Sequence, residues 1–567
     1  MTVSGTPKAM EEAKIELQQT DYPPVWKGEV NGVNAGQTHR GLTSRHIQFL
    51  ALGGCIGTGL FVGSGATLST VGPAPLFMGY LAMSTVVWAI MNVLGEMSTY
   101  MPVKGVSVPY LVNRFTEPSL GFADTIIGRR KYLASIGVIQ LIGVRYSFSM
   151  LIASEVTAAS LVIEYWTTEV PVAVWITIIL AVILILNIIA VSFFGEAEFW
   201  FASIKIITII GLIILGIVLF FGGGPNHDRL GFRYWNNPGA FKPYLVDGDT
   251  GRFLAFWTAF IKSGFAFIFS PELITTAAGE AASPRRNIPK ATRRFIYRLM
   301  AFYILGTLVI GVTVAYNDPN LLSGVQNSSS NAGASPFVIG IQNAGIKGLN
   351  HVINAAILTS AWSSGNSWLF AGSRTLYSLA CAGQAPKIFA VCNRKGIPYV
   401  AVLCTFAIGC LSYLNVSSSG ANVFYWFTNI TTVGGFISWI VLLIAYLRFR
   451  GAMQFNGMLG RLPFKTPLQP YTTYYALLIV SLLALTNGYA VFFPGNFTAS
   501  GFLVSYIVFA IFLALYLGHK LWFRTPWLMK VSEIDVVSGV DEIDRMTEED
   551  QERVPRNWLE RFWFWLA

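Results

Sequence analysis

Charge is what this 567-residue chain has least of. Asp, Glu, Lys and Arg make up 12% of it and hydrophobic residues 53%, against the roughly 25% charged of a soluble globular domain. That balance excludes a water-soluble globule and points to an integral membrane protein. Histidine is sparse and dispersed, at His39, His46, His227, His351 and His519, so the paired His and carboxylate that a membrane enzyme needs near one face is missing. The cysteines Cys55, Cys381, Cys392, Cys404 and Cys410 show no CxxC or Cys/His spacing; they read as buried thiols, with no metal, disulfide or cofactor expected. A formal charge of +10 would suggest nucleic acid only as one exposed patch, and here the basic residues are scattered through short loops. No apolar run precedes residue 47, so no cleavable leader is expected.

What is there is a succession of apolar runs near the roughly 20 residues that a bilayer requires. They fall at 47–70, 75–99, 172–191, 199–221, 254–278, 298–316, 351–372, 398–414, 424–447, 472–493 and 501–521. Between 120 and 166 the pattern is interrupted by Arg129, Arg130, Lys131 and Arg145, but 146–165 can cross alone, giving twelve spans. An even count puts both ends on one side. The positive-inside rule makes that side the cytosol, since the 1–45 tail carries Lys8, Lys14, Lys27, Arg40 and Arg45, and inner loops hold Arg285, Arg286, Lys290, Arg374, Lys387, Arg448 and Arg450. The layout is therefore a cytosolic tail (1–45), a transmembrane domain (46–523) and a second cytosolic tail (524–567). The outer loop 222–252 is the exception, with Arg229, Arg233, Lys242 and Arg252 partly balanced by Asp228, Asp247 and Asp249, and Asn327 opens a glycosylation sequon in the next outer loop. Glu96, at the cytosolic edge of the second span, is expected to be solvated, and Glu280 to pair with Arg285 or Arg286. The acidic second tail ends in Trp558, Phe562, Trp563, Phe564 and Trp565. These form either an interfacial helix on the bilayer or a docking surface for a cytosolic partner, such as trafficking or ubiquitination machinery.

Two spans should break. Residues 47–66 read IQFLALGGCIGTGLFVGSGA, and each glycine inside a helix costs up to about 1 kcal/mol relative to alanine. The other reading is that Gly53/Gly57 and Gly59/Gly63 are small-residue pairs for close helix packing. In the sixth span, FAFIFSPELITTAAGEA places Ser270 and Pro271 at mid-depth, where the proline removes a donor and clashes with the preceding turn. Broken backbone at this depth survives only in a protein-lined or polar cavity, and in transporters it holds the substrate. The first and sixth of twelve spans correspond if spans 1–5 and 6–10 are inverted repeats. The amides of Gly57, Thr58 and Gly59, with the Thr58 hydroxyl, can hold a carboxylate. Carbonyls freed across 267–270, at Phe267, Phe269 and Ser270, can accept from an ammonium group, so a small zwitterion fits both.

Other polar residues sit inside the spans. Glu272, next to the break, is either a proton-coupling group or a cap on its own helix. Lys205, in EFWFASIKIITIIGLII, is either a proton carrier or a structural ammonium bonded to carbonyls. Ser363, Ser364 and Asn366 line the pocket or face a neighbouring helix. Lys262, in the outer half of the sixth span, is expected to snorkel or to line the entrance rather than to bind substrate. No arginine or acidic side chain at the site demands a charged substrate.

These stretches, together with PELITTAAGEAASPRRNIPKA, ILTSAWSSGNSWLFAGSRTLYSLA and LNVSSSGANVFYWFTNIT, resemble the fungal amino-acid permeases of the amino acid/polyamine/organocation superfamily. The resemblance extends over residues 41–535 and leans toward permeases for proline and small neutral amino acids. It implies an all-α membrane fold with a five-plus-five inverted-repeat core and two extra helices, and a plasma-membrane importer that moves its substrate with a proton. It also implies that Gly57, Thr58 and Gly59 take the carboxylate, that the 267–270 backbone takes the amino group, and that Lys205 stands where sodium-coupled relatives bind a cation. One stretch departs from the pattern: 125–145 is longer and more basic than the family's start to the third span, and reads either as an insertion or as a fault in the predicted gene, which would impair transport. A nutrient receptor that keeps the site without transport would carry a large signalling domain, and both tails are short.

Overall fold

The computed structural model describes residues 29–30, 33–34, 44–102, 106–116, 144–167, 169–189, 191–278, 283–326, 335–381, 385–416, 420–523, 529–548 and 557–558. The segments 117–143, 279–282 and 559–567 lie outside the described residues. With them go most of the atypical 125–145 stretch, Glu280 and the aromatics after Trp558; Asn327 lies outside as well. In the N-terminal tail, β1 (Glu29–Val30) and β2 (Val33–Asn34) pair antiparallel, Glu29 opposite Asn34. Among the described residues, all other regular structure is helical.

The first span is split into α1 (Ser44–Cys55) and α2 (Ser64–Val71), joined through a π-helical turn at Gly59–Gly63. Gly72 then turns the chain at φ 87°, packed so closely that a Cβ would stand 3.0 Å from the Lys242 amide nitrogen; Pro73 opens α3 (Pro73–Tyr100), its preset φ suiting a first helical position. After the short α4 (Val108–Phe115) come α5 (Val144–Ile163), α6 (Val172–Ile189) and α7 (Val191–Phe220). The sixth span is split into α8 (Gly248–Phe267) and α9 (Ser270–Ala278). Next are α10 (Pro284–Thr313), the outer helices α11 (Pro319–Gln326) and α12 (Pro336–Asn343), and α13 (Leu349–Cys381). The series ends with α14 (Tyr399–Gly409), α15 (Gly420–Phe455), α16 (Tyr471–Leu485), α17 (Ala499–Phe523) and α18 (Val540–Glu548).

Among the described residues, nine helical stretches are long and apolar enough to cross a bilayer, and Phe148–Ile163 and Tyr471–Leu485 are shorter apolar helices. With α13 running among them, the twelve expected spans are α1/α2, α3, α5, α6, α7, α8/α9, α10, α13, α14, α15, α16 and α17. Their packing carries an internal symmetry. The most extensive contacts join spans five apart: α5 with α13 (third and eighth) and α3 with α10 (second and seventh); the halves of the first and sixth spans also meet, α1 with α9 and α2 with α8. Spans five apart run in opposite directions, so the pairing is that of an inverted repeat.

At the end of the bundle that the charge pattern assigns to the cytosol, one sequence expectation changes. Glu96 is buried, not solvated: Tyr446 donates to it at 2.6 Å, and the Thr466 amide and hydroxyl donate at 2.7 and 2.6 Å. A carboxylate can sit there because three donors replace its water. At the same end the carboxyl tail's residues 529–548 lie against the protein itself. Ile534, Val536, Val540 and Ile543 are buried, Tyr100 donates to the Val536 carbonyl at 2.8 Å, and Arg448 donates to Met529 O. Arg285 pairs with Asp544, and Arg114 holds the Asp535 carboxylate at 3.0 Å and the Ser538 carbonyl at 2.6 Å. Replacing Arg114 by alanine removes the cation beside the shielded Asp535, which keeps only the Val537 and Ser538 amides at 3.0 and 2.9 Å, and the expected result is a melting temperature lower by a few degrees in the detergent-solubilised protein. An unchanged melting temperature would show that the tail is not held there.

At the opposite end, which the charge pattern assigns to the exterior, the long 222–252 loop closes over the first span. Lys242 donates from Nζ to the Ser69 carbonyl at 2.6 Å and from its amide to the Val71 carbonyl at 3.0 Å, satisfying carbonyls that the end of α2 leaves without an intrahelical partner. Arg233 pairs with Asp228 at 2.5 Å, and that hydrogen bonding holds the Asp228 carboxyl below its ordinary range.

Candidate functional site

The glycine-rich first span breaks where the sequence places the break. Helix α1 ends at Cys55, the Gly57 amide folds back to the Cys55 carbonyl at 2.8 Å, and Thr58, fully buried, precedes the π turn that begins at Gly59. In the sixth span α8 ends at Phe267, and Phe269 takes a left-handed φ of 57° before Ser270 opens α9. A bulky residue there is strained by about 1–3 kcal/mol, sustained only because its surroundings fix it. The Phe269 ring lies 4.8 Å from Phe148, which in turn lies 5.9 Å from Trp368.

Alongside the break, the packing reading of the glycines holds in part: Gly53, Gly57 and Gly59 abut neighbouring spans, whereas Gly63 has only the Thr58 carbonyl of its own span within 4 Å. A Cβ on Gly59 would stand 2.9 Å from the Ala266 Cα, and one on Gly54 would meet Leu273, so these two let the broken halves of the first and sixth spans touch. A Cβ on Gly57 would instead stand 2.7 Å from Glu155 Oε1 and 3.0 Å from Ser364 Oγ.

The end of α1 presents carbonyls with no helical partner, and at membrane depth other side chains must answer them. They come from three spans. Lys205 of α7 donates to the Gly53 carbonyl, which Ser364 of α13 also reaches at 3.2 Å; Lys205 and Ser364 are themselves 3.0 Å apart. Ser360 of α13 donates to the Ile56 carbonyl at 2.7 Å. Tyr303 of α10 brings its hydroxyl 2.7 Å from the Cys55 carbonyl and 2.8 Å from that of Ala266, at the end of α8. Within the sixth span, Ser270 donates to the Phe267 carbonyl at 2.5 Å, which leaves that oxygen one lone pair for a further donor.

Two carboxylates absent from the sequence-based site list complete the cluster. Glu198 of α7, fully buried, accepts from Asn366 at 2.6 Å, Ser363 at 2.9 Å and Ser367 at 3.0 Å. Of the alternatives for the α13 polar patch, Ser363 and Asn366 therefore face a neighbouring helix, and only Ser364 reaches the break. Glu155 of α5 is turned toward Thr58, which corrects the expectation of no acidic side chain at the site. Lys205 lies within the electrostatic reach of both carboxylates, so the cluster does not of itself demand a charged substrate. Glu272 stands apart from it, accepting from the Trp439 indole of α15 at 2.9 Å. Lys262 is exposed while Ile261 and Ser263 on either side are buried. Among the described residues, no group of His, Cys, Asp and Glu is arranged to hold a metal ion.

Comparison with known proteins agrees with this architecture. The chain aligns with a proline-specific permease of Emericella nidulans at 68% identity, covering 99% of both chains. It aligns with a probable proline-specific permease of Schizosaccharomyces pombe at 54% identity, covering 91% of this chain and 90% of that one. Among solved structures, a manganese transporter of Eremococcus coleocola superposes with a TM-score of 0.54 at 12% identity, over 88% of this chain and 99% of that chain; at that identity the likeness is one of fold. Residues 46–531 match the amino acid permease family, a family of transporters and not of enzymes, and the chain belongs to it.

Proposed function

We propose that this permease imports proline across the plasma membrane together with a proton, both termini lying in the cytosol. The observation that carries this reading is the pairing of the two interrupted spans around one point: the carbonyl end of α1 is closed by Lys205, Ser360 and Tyr303, while the chain at Thr58 and Gly59 opens the outer half of the span with its amides. A carboxylate placed at those amides meets the positive end of a half-helix, and the backbone around Phe267, Phe269 and Ser270 faces the amino group. Proline suits such a site because the zwitterion brings its own two charges and needs no further charged side chain. The proline specificity named for both relatives supports that choice.

For the coupling ion, Lys205, Glu155 and Glu198 gather one ammonium and two carboxylates around the inner end of the break, and such a group can take up and release a proton. Glu272, bonded to Trp439 on α15, is a second candidate for that role. One charge moved down the membrane potential is worth about 2.3 kcal/mol per 100 mV, enough for roughly 50-fold accumulation of a neutral zwitterion. The substrate is tested by uptake of radiolabelled proline into permease-deficient fungal cells, with unlabelled amino acids as competitors. Saturable uptake displaced by proline, and weakly by acidic and basic amino acids, is the expected result. Equal displacement by lysine or glutamate would remove the proline assignment.

A further inference from the structure

We infer that Tyr303 is a positioning residue that holds the two interrupted helices in register with each other. Its side chain is fully buried on α10, and its hydroxyl stands between the last carbonyl of α1 and the Ala266 carbonyl at the end of α8, at 2.7 and 2.8 Å. Its ring packs edge-on against Phe267 at 4.5 Å and against Tyr80 at 5.9 Å. Tyr80 extends the same knot to the other side of the first break, donating to the Gly59 carbonyl at 3.3 Å. Two phenols and one phenyl ring thus touch the end of α1, the start of the outer half-helix and the end of α8.

The Tyr303 hydroxyl has one proton and two acceptors. It can pass its hydrogen bond from one carbonyl to the other by rotating about the C–O bond, with no movement of the ring. When the proton turns to Ala266, the Cys55 carbonyl still accepts from the Gly57 amide at 2.8 Å, so it keeps a donor at a depth where no solvent replaces one. A hydroxyl serving only one helix would fix that helix alone; this one fixes the spacing between the groups that face the substrate's carboxylate and amino group. The inference rests on that reading of the site.

The test is Tyr303→Phe, which keeps the ring and removes the hydroxyl. Two quantities are read: the KM for proline uptake, and the rate at which a membrane-permeant maleimide alkylates Cys55, the buried last residue of α1, followed by mass spectrometry of its peptide. The expected result is a KM raised on the order of tenfold at an unchanged surface amount, with Cys55 labelled several-fold faster. A residue that merely stabilised the fold would lower the surface amount and leave the KM of the surviving molecules as it was. Cys55 labelling at the unsubstituted rate overturns the inference whatever the KM. If the variant is held back from the surface, equilibrium binding of tritiated proline and the same labelling on detergent-solubilised protein give both readings. Failure of the unsubstituted chain to take up proline counts against the proposed substrate, whereas the labelling result needs no substrate and decides the inference on its own.

Discussion

Alanine at position 59 is expected to abolish amino-acid uptake. The added methyl would stand 2.9 Å from the Ala266 Cα, 3.1 Å from its Cβ and 3.3 Å from its nitrogen. Two of those atoms are backbone, which no rotamer change can move aside. Helix α8 has little room to retreat, since on its opposite face a Cβ on Gly264 would stand 2.5 Å from the Phe436 ring of α15. Overpacking of this kind costs about 1–3 kcal/mol, and here the cost falls on the contact between the two broken helices, where displacement changes the site itself. The glycines of the first span should therefore form a graded series. Gly63→Ala, whose Cβ has nothing nearer than the Thr58 carbonyl oxygen at 3.8 Å, should keep more than about half of the uptake. Gly57→Ala meets only the movable ends of Glu155 and Ser364 and should fall between. Uptake per surface molecule would be measured for all three; normal transport by Gly59→Ala would mean that the first and sixth spans do not meet as described.

Lys205→Met is the second large effect. Methionine keeps much of the length and apolar bulk of the lysine but offers no proton. The Gly53 carbonyl then loses its ammonium donor, and Glu155 and Glu198 lose the cation that Lys205 places within their reach. If the ammonium drives the cycle, the variant should still bind and exchange proline but should no longer concentrate it, the inside-to-outside ratio falling from as much as roughly 50 to near 1. Arginine should not rescue it, because a guanidinium stays protonated and its planar fork does not fit a pocket built around one Nζ. Full accumulation by Lys205→Met at acidic pH would reduce Lys205 to a structural ammonium, the other reading its position in the sequence allows.

Both breaks were legible because glycine and proline act locally: neither needs a partner to disrupt a helix. Lys205 was legible for the same reason, a lone charge in an apolar run. Glu198 was not, because the apolar run begins at 199 while the helix begins at Val191; the two additional turns move this carboxylate from a span edge to the interior. Glu155 carries the same signal as Lys205, an ionisable group within IASEVTAAS, but the basic run before it obscures where that span begins and how deep the carboxylate lies. Tyr80 and Tyr303 left no mark, since a phenol in an apolar run fits the hydrophobic pattern whether or not its hydroxyl has a task. The carboxyl tail was read by its charge, but the apolar residues that dock it, Ile534, Val536, Val540 and Ile543, have partners hundreds of positions away. Composition cannot indicate such pairings.

The most direct test of the central claim is accumulation of radiolabelled proline by permease-deficient cells expressing this chain, at pH 5 and at pH 7.5, with and without a protonophore. The account predicts an inside-to-outside ratio well above 1 that is greater at pH 5, where protons are more available outside, and that collapses to 1 when the protonophore removes the gradient. A ratio independent of external pH and unaffected by the protonophore would contradict proton-driven import. The absence of any proline entry through protein shown to be at the surface would contradict the substrate assignment itself.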